Sequence, residues 1–597
     1  MLHHLVEYAQ SHSLNPRRGF ATIQVGWLLS LDRKGHFLGV VDIAEKQGKR
    51  RVPRSFFDAP DEITEPSLFG GTRSTSWAQF LTDSAATLAI FDPKKPEARS
   101  DTDKDRRKHE FFLLLLDWAG RESGDELFLI AAAALRDELV LAAIRSAFLE
   151  RKVKTTDKLT LQVDGQILIE LKSWHPWWAA RFAAPVAQGG EGASGRQPEV
   201  CLLTGELAVP PNVHGKIKGL ASTGGQPVGD SLVCADKAAF SCYGLAAAAV
   251  SPEAEVAYRA SLNQLLRQGG EPLGNAKLAY WYTGSVARED DPLSWLEDPS
   301  GAAERIALRS LHELLDSIRT GRQTELDGNR YRALRLSGMA GRVMVRDWLE
   351  GDLASLFEQV HSWFQDLAIV APQGTELAAP PRIGTLGASL VREKKDLAPP
   401  LVTKLWRSAI AGEAIPYATV AMAVRRQTLD IVTDNNPGIY TLTARMGLLR
   451  AYHVRKPNGD RTMTPKLNPE HPDAAYHCGR LLAVLASLQR SALGDVGAGV
   501  VQRFYSSASQ TPALVVGRLL ANAPHHLAKL DGGLANMFEL RIAEVLNAIS
   551  ELPRTLELER QSLFALGYYH QKAHDFAQMT AAREAKANSA ATSIELS

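Results

Sequence analysis

No apolar run in the 597-residue sequence approaches the ~18 residues needed to span a bilayer. The N-terminus, MLHHLVEYAQ, lacks the charged start and long apolar core of a secretory leader, so a cytoplasmic protein without a membrane partner is expected. Cysteine is scarce: Cys201, Cys234, Cys242 and Cys478 include no CxxC pair, which argues against a disulfide framework. A zinc set of Cys201, Cys234, Cys242 and His214 would match no common spacing, and reduced, mostly buried thiols are expected instead. Neither sign of charge dominates, with 68 Lys and Arg against 67 Asp and Glu and a net charge of +1. A polyanion binder with that balance must gather its cations into patches. HExxH, a P-loop and a compact acidic cluster are all missing, so these residues offer no metal, cofactor or catalytic motif.

What is present is an ordinary globular composition, 45% apolar and 23% charged, long enough for roughly four domains of about 150 residues. The most distinctive stretch is 199–244, rich in Gly and Pro and carrying the basic knot His214-Gly215-Lys216-Ile217-Lys218-Gly219. Glycines let a backbone approach a ligand closely and lysines supply point charge; a solvated surface loop is the plainer reading. A second cluster, Lys49-Arg50-Arg51-Val52-Pro53-Arg54, cannot lie inside a helix because of Pro53. It reads equally as a solvated loop or a phosphate grip through Arg50, Arg51 and Arg54. Gly70-Gly71-Thr72-Arg73-Ser74 is a polar loop with a glycine hinge, able to enter a groove or merely to connect two elements. Trp174, Trp177 and Trp178 suit core packing better than a stacking platform for bases.

The periodicity predicts an α+β protein, with a mixed α/β N-terminal and middle region over 1–371 and a possible sub-boundary near 188–198. A Pro/Gly-rich connector over 372–400 leads to an all-helical bundle over 401–597. Strands are expected over 21–31 and 36–43 around the turn Asp32-Arg33-Lys34-Gly35, and a hairpin over 158–171 around Asp164-Gly165. Helices are expected over 110–152, 252–267 and 351–367, then in seven segments from 401 to 551. Leu481, Leu485 and Leu488 share one helix face.

The pieces CLLTGE, HGKIKG, SLV and AFSCYG, in that order, resemble the central segment of the large subunit of the type I-C CRISPR Cascade complex. LAYWYTG, RVMVRDWLEGDLASL, NPEHPDAAYHCGRLLAVLASLQRSA, RFYSSASQTPALVV and LFALGYYHQ extend the resemblance to nearly the whole chain. The loop after Phe69 departs from it: members commonly carry an acidic-Asn pair and a Tyr where this chain has Gly70-Gly71-Thr72-Arg73 and Trp77.

The resemblance implies a non-catalytic subunit of an RNA-guided complex that reads a protospacer-adjacent motif on double-stranded DNA and aids duplex opening and R-loop formation. Its implied partners are guide RNA with its 5′ handle, target duplex, the backbone, handle-binding and small Cascade subunits, and a recruited helicase-nuclease. In such complexes the guide reads most of the sequence and protein only the short motif. On that reading Thr72, Arg73 and Ser74 would read the motif, and Arg50, Arg51, Arg54, His214, Lys216 and Lys218 would grip backbone. Residues 463–597 would resemble the small subunit, with Arg480, Arg503 and Lys529 tracking the displaced strand and Met463 placed to start a separate product. Two alternatives are a scaffold that binds guide RNA and neighbouring subunits without reading DNA, and a nuclease with dispersed carboxylates.

Overall fold

Gly26 divides the apolar run 21–31 into two strands with different partners, where a single strand was expected. The computed structural model describes the chain apart from residues 13, 15–16, 48–49, 64–68, 70–76, 94–102, 184–197, 212, 235–247, 270–271, 273, 288–290, 298–327, 394–395, 434–436, 457–458, 460–461, 495–498 and 596–597. After α1 (Leu2–Ser11) come β1 (Phe20–Val25), β2 (Trp27–Leu31) and β3 (Phe37–Asp42). β2 and β3 form the expected hairpin: Asp32 Oδ1 accepts from Lys34 and His36 N–H, and Gly35 takes a positive φ of 82°. β4 (Glu45–Gln47) pairs with β5 (Arg50–Val52), and β6 (Arg54–Pro60) returns antiparallel to β1.

The remainder of this unit covers the sheet with helices. β7 (Asp83–Ser84) leads into α2 (Ala85–Ala89), α3 (Asp103–Ser123), α4 (Glu126–Arg136) and α5 (Glu138–Glu150). β8 (Lys158–Val163) then lies parallel to β2, which requires a crossover connection, and α2–α5 lie in it. β2 is accordingly buried at every position. Asp164-Gly165 turns β8 into β9 (Gln166–Ile167), with positive φ at both turn residues, though the second arm is only two residues long. α6 (His175–Ala183) and the residue before it place Trp174, Trp177 and Trp178 in the core with Phe69 and Phe80, as burial of large aromatic area favours. The short hairpin β10 (Glu199–Val200) with β11 (Leu207–Ala208), and α7 (Pro252–Gln268), complete it. The unit comprises Met1–Ala221, Gly225–Arg267 and Gly338–Val343.

The other compact unit comprises Ser222–Gly224, Gln268–Ser337 and Met344–Ser597. Residues 372–400, read from sequence as a connector between domains, fall inside it: Ile383, Leu386 and Leu390 share one core with Leu448 and Leu449. Its sheet has the order β12 (Lys277–Tyr282), β13 (Arg330–Met339) and β14 (Arg342–Asp352), and α8 (Pro292–Glu297) lies between the first two in sequence. α9 (Leu353–Leu367) buries Leu353, Leu356, Phe357, Val360, Trp363, Phe364 and Leu367, a stripe at helical spacing. Then come α10 (Ile383–Ala388), α11 (Pro399–Ala411), α12 (Tyr417–Val432), α13 (Ile439–Arg455), α14 (Ala474–Leu493), α15 (Val500–Gln510), α16 (Pro512–Leu527), α17 (Gly532–Asn547) and α18 (Leu558–Glu595). α14 is the central rod, capped by Asp473, whose side chain accepts from Ala475 N–H. Leu481, Leu485 and Leu488 are all buried on it. α18 lies within the expected helical region 401–597 but beyond the last of the seven expected segments. The fold is α+β with a helical C-terminal region, and no described helix is long and apolar enough to cross a membrane.

Candidate nucleic-acid interface

The basic knot 214–219 lies along α7 and is fixed to it at successive turns. Glu255 Oε1 accepts from Gly215 N–H at 2.9 Å, and Asn263 Oδ1 accepts from Lys218 N–H at 2.7 Å. Between them the Tyr258 hydroxyl and His214 Nδ1 share a hydrogen bond of 2.6 Å. Residues 255, 258, 259 and 263 recur at helical spacing, so one face of α7 makes the whole attachment. Ile217 exchanges backbone hydrogen bonds with Asp230, which ties the other side of the knot. Glycine at 215 is required by space: a Cβ there would overlap the Arg259 side chain. Gly219 takes a φ of 97°, the left-handed region that glycine tolerates.

Arg259 is the buried centre of this attachment. Its Nη2 lies 2.5 Å from Asp61 Oδ2 and its Nε 2.9 Å from Glu255 Oε1. Burial opposes the charge, but the two carboxylates outweigh it and raise the guanidinium above its ordinary pKa. Glu255 is raised by burial, a shift that Arg259 and the Gly215 N–H partly offset. A buried guanidinium held by two carboxylates is fixed in place, and losing one partner of such a group costs about 3–5 kcal/mol.

Next to Asp61, Glu62 answers two lysines. Its carboxylate lies 2.8 Å from Lys218 Nζ and 4.0 Å from Lys158 Nζ. One carboxylate shared by two ammonium groups leaves positive charge over. Burial, and then the neighbouring Lys218, hold Lys158 below the usual lysine pKa. A cleft of about 690 Å³ opens beside them, lined by Arg17, Lys158, Lys218, Arg259 and Arg267 against Asp58 and Asp61. Lys216 is half-buried on the same knot.

The residues expected from sequence to act together are only partly brought together. Lys216 and Lys218 share the knot with His214, but His214 is buried against Tyr258 and positions the loop instead of gripping a backbone. Arg51 makes a two-nitrogen pair with Asp42, donates to Gly26 O and lies 4.6 Å over the Trp27 ring. It pins the break between β1 and β2. Arg54 pairs with Glu170 at 2.6 Å over the Phe56 ring. The side chain of Arg50, and Thr72, Arg73 and Ser74 entirely, lie outside the described residues.

In the helical unit Arg503 and Lys529 are exposed. Arg480 does not match the strand-tracking role expected of it. Its side chain is 1% exposed, and its guanidinium is engaged by Glu544, Gln571 and His477 inside the bundle.

Arg17, Lys158, Asn263 and Arg267 were not found from sequence, because they come from three separate segments, the last two from α7. One signal was available: Glu255 and Arg259, an i,i+4 charged pair, sit among the apolar Val256, Tyr258 and Leu262 of a helix.

A family model described as CRISPR-associated protein (Cas_Csd1) matches residues 4–576. No curated protein matches the chain.

Proposed function

Because the chain belongs to the Csd1 family of CRISPR-associated proteins, we propose that it is the large, non-catalytic subunit of a type I-C RNA-guided complex that reads the protospacer-adjacent motif on duplex DNA and aids its opening. The observation that carries the nucleic-acid role is the knot on α7, where a rigid loop holds Lys216 and Lys218 beside a cleft whose cations outnumber its acids. Charge fixed in that way neutralises phosphates without sequence preference, which positions a nucleic acid but does not read it. Motif reading is assigned to Thr72, Arg73 and Ser74, on the resemblance of that loop's position and on its hydrogen-bond donors. The helices from 463 onward take the small-subunit-like part, with Arg503 and Lys529 as its exposed cations. Guide RNA, the other Cascade subunits and a helicase-nuclease are the partners in this reading, and the site of action is the cytoplasm.

The test is the complex reconstituted with guide RNA and titrated with duplexes that carry or lack the motif, over a range of salt. The double variant Lys216→Ala/Lys218→Ala is expected to lower the slope of log K against log salt by about one unit per lost phosphate contact. Arg73→Ala is expected to relax motif preference, since a direct base contact is worth about 1–3 kcal/mol of discrimination. Full assembly with unchanged duplex binding in both variants would leave the scaffold role, and metal-dependent cleavage by the purified chain would reject the non-catalytic one.

A further inference from the structure

The cleft beside the knot has a feature that simple phosphate neutralisation leaves unused. In the β1–β6 ribbon, Ala21 faces Ala59 and Ile23 faces Phe56, so Thr22 alone stands opposite both Phe57 and Asp58. That is a β-bulge, and Asp58 takes a φ of 53° in it. A bulge re-aims a side chain and breaks the alternation of a strand. Here it leaves two successive residues outside, and Phe57 is 76% exposed while Phe56 is in the core. The bulge, with its positive φ at Asp58, turns the Phe57 ring outward, where it can meet a ligand face.

Phe57 stands in the lining of the 690 Å³ cleft together with the cations already described and the amides of Gln24 and Gln264. The three kinds of group match three features of a nucleotide: the face of its base, the edge of its base and its phosphate. An aromatic face stacks a base, an amide both donates to and accepts from a base edge, and ammonium and guanidinium groups meet the phosphate. The volume falls within the ~300–1,000 Å³ of small-ligand pockets. A paired duplex shows its base edges only in its grooves, so a concave pocket with a stacking ring suits a nucleotide that has left the stack.

We propose that this cleft is a pocket for one unpaired nucleotide of a single strand, its base stacked on Phe57 and its phosphate facing Lys158, Lys218 and Arg267. The inference rests on the nucleic-acid role proposed above and adds to it a strand type and a contact. Guide RNA and opened target DNA both supply unpaired nucleotides, and they share the chemistry the pocket needs.

The full-length chain is titrated with fluorescent single-stranded RNA, single-stranded DNA of the same sequence, and duplex DNA. Phe57→Ala is expected to weaken binding of one or both single strands about tenfold or more, with the duplex unaffected and the salt slope unchanged, because the ring carries no charge. Phe57→Trp is expected to restore the affinity. The strand that responds more strongly identifies the source. Because Phe57 is exposed, its replacement leaves the core intact, and a thermal melt verifies this. If wild-type protein binds single strands and Phe57→Ala binds them equally well, or loses duplex to the same degree, the pocket is overturned while the nucleic-acid role stands. Wild-type protein that binds none of the three ligands overturns that role itself.

Discussion

Gly215 decides whether the knot can lie on α7. The exposed part of the attachment, Lys218 with Glu62, contributes about 1 kcal/mol at most, as partly solvated ion pairs do. The close approach of residues 214–218 to a buried, doubly paired Arg259 sets the geometry. A Cβ at 215 would meet Arg259 Cδ, Nε and Cζ, and those atoms cannot retreat because Asp61 and Glu255 hold the guanidinium. Gly215→Ala is therefore expected to lower stability by about 1–3 kcal/mol, the usual cost of overpacking. Urea unfolding followed by circular dichroism measures it; an unchanged midpoint would mean that the loop has another way to sit. Under the proposed nucleic-acid role, affinity is expected to fall with it, through displaced lysines and not through lost charge.

α14 and α18 cross closely, and two glycines allow it. A Cβ at Gly479 would overlap the Phe564 carbonyl oxygen, and one at Gly567 would overlap the Tyr476 carbonyl oxygen. Helix propensity alone favours alanine over glycine by about 1 kcal/mol, so the sign of Gly567→Ala reports which effect wins. Backbone cannot give way as a side chain can, and a net loss of about 1–3 kcal/mol is expected, seen as a lower Tm of the full chain. A raised Tm would show that the helices part without cost. Such crossings mark where sequence reading stops. The stripe of Leu481, Leu485 and Leu488 showed that α14 is a core helix, and Asp164-Gly165 showed a turn, because both signals are local. Gly479 and Gly567 carry no local signal, since their reason is a carbonyl on another helix. Likewise the lysines of the knot were legible, while Glu62, Lys158 and Phe57 were not, because a bulge and a long-range pairing bring them to the cleft.

Across the whole chain, a second product starting at Met463 would inherit α14–α18 but not their surroundings. The described part of the stretch before α14 is tied into the core. Met463 is 2% exposed in the core, its carbonyl accepts from Arg450 Nε, and Pro465 O accepts from Val370 N–H. The Tyr569 hydroxyl donates to Val370 O, and Ser562 bonds His453. We propose that such a product folds as a bundle yet is less stable than the same helices in the full chain, since each lost hydrogen bond contributes about 0.5–1.5 kcal/mol. Intact mass measurement after expression of the untagged gene is expected to show a second species beginning near 463; a single full-length species, unaffected by synonymous changes at that codon, sinks the idea. The pairing of Arg259 with Asp61 also sets a timetable. The two residues are 198 apart in sequence, so at ~5–20 residues per second the ribosome needs roughly 10–40 s to supply the second after the first. Through that interval Asp61 has no Arg259 to meet. The lysine loop is made late in that interval, shortly before α7, so the nascent chain carries the charges of Lys216 and Lys218 before it has the shape that restrains them.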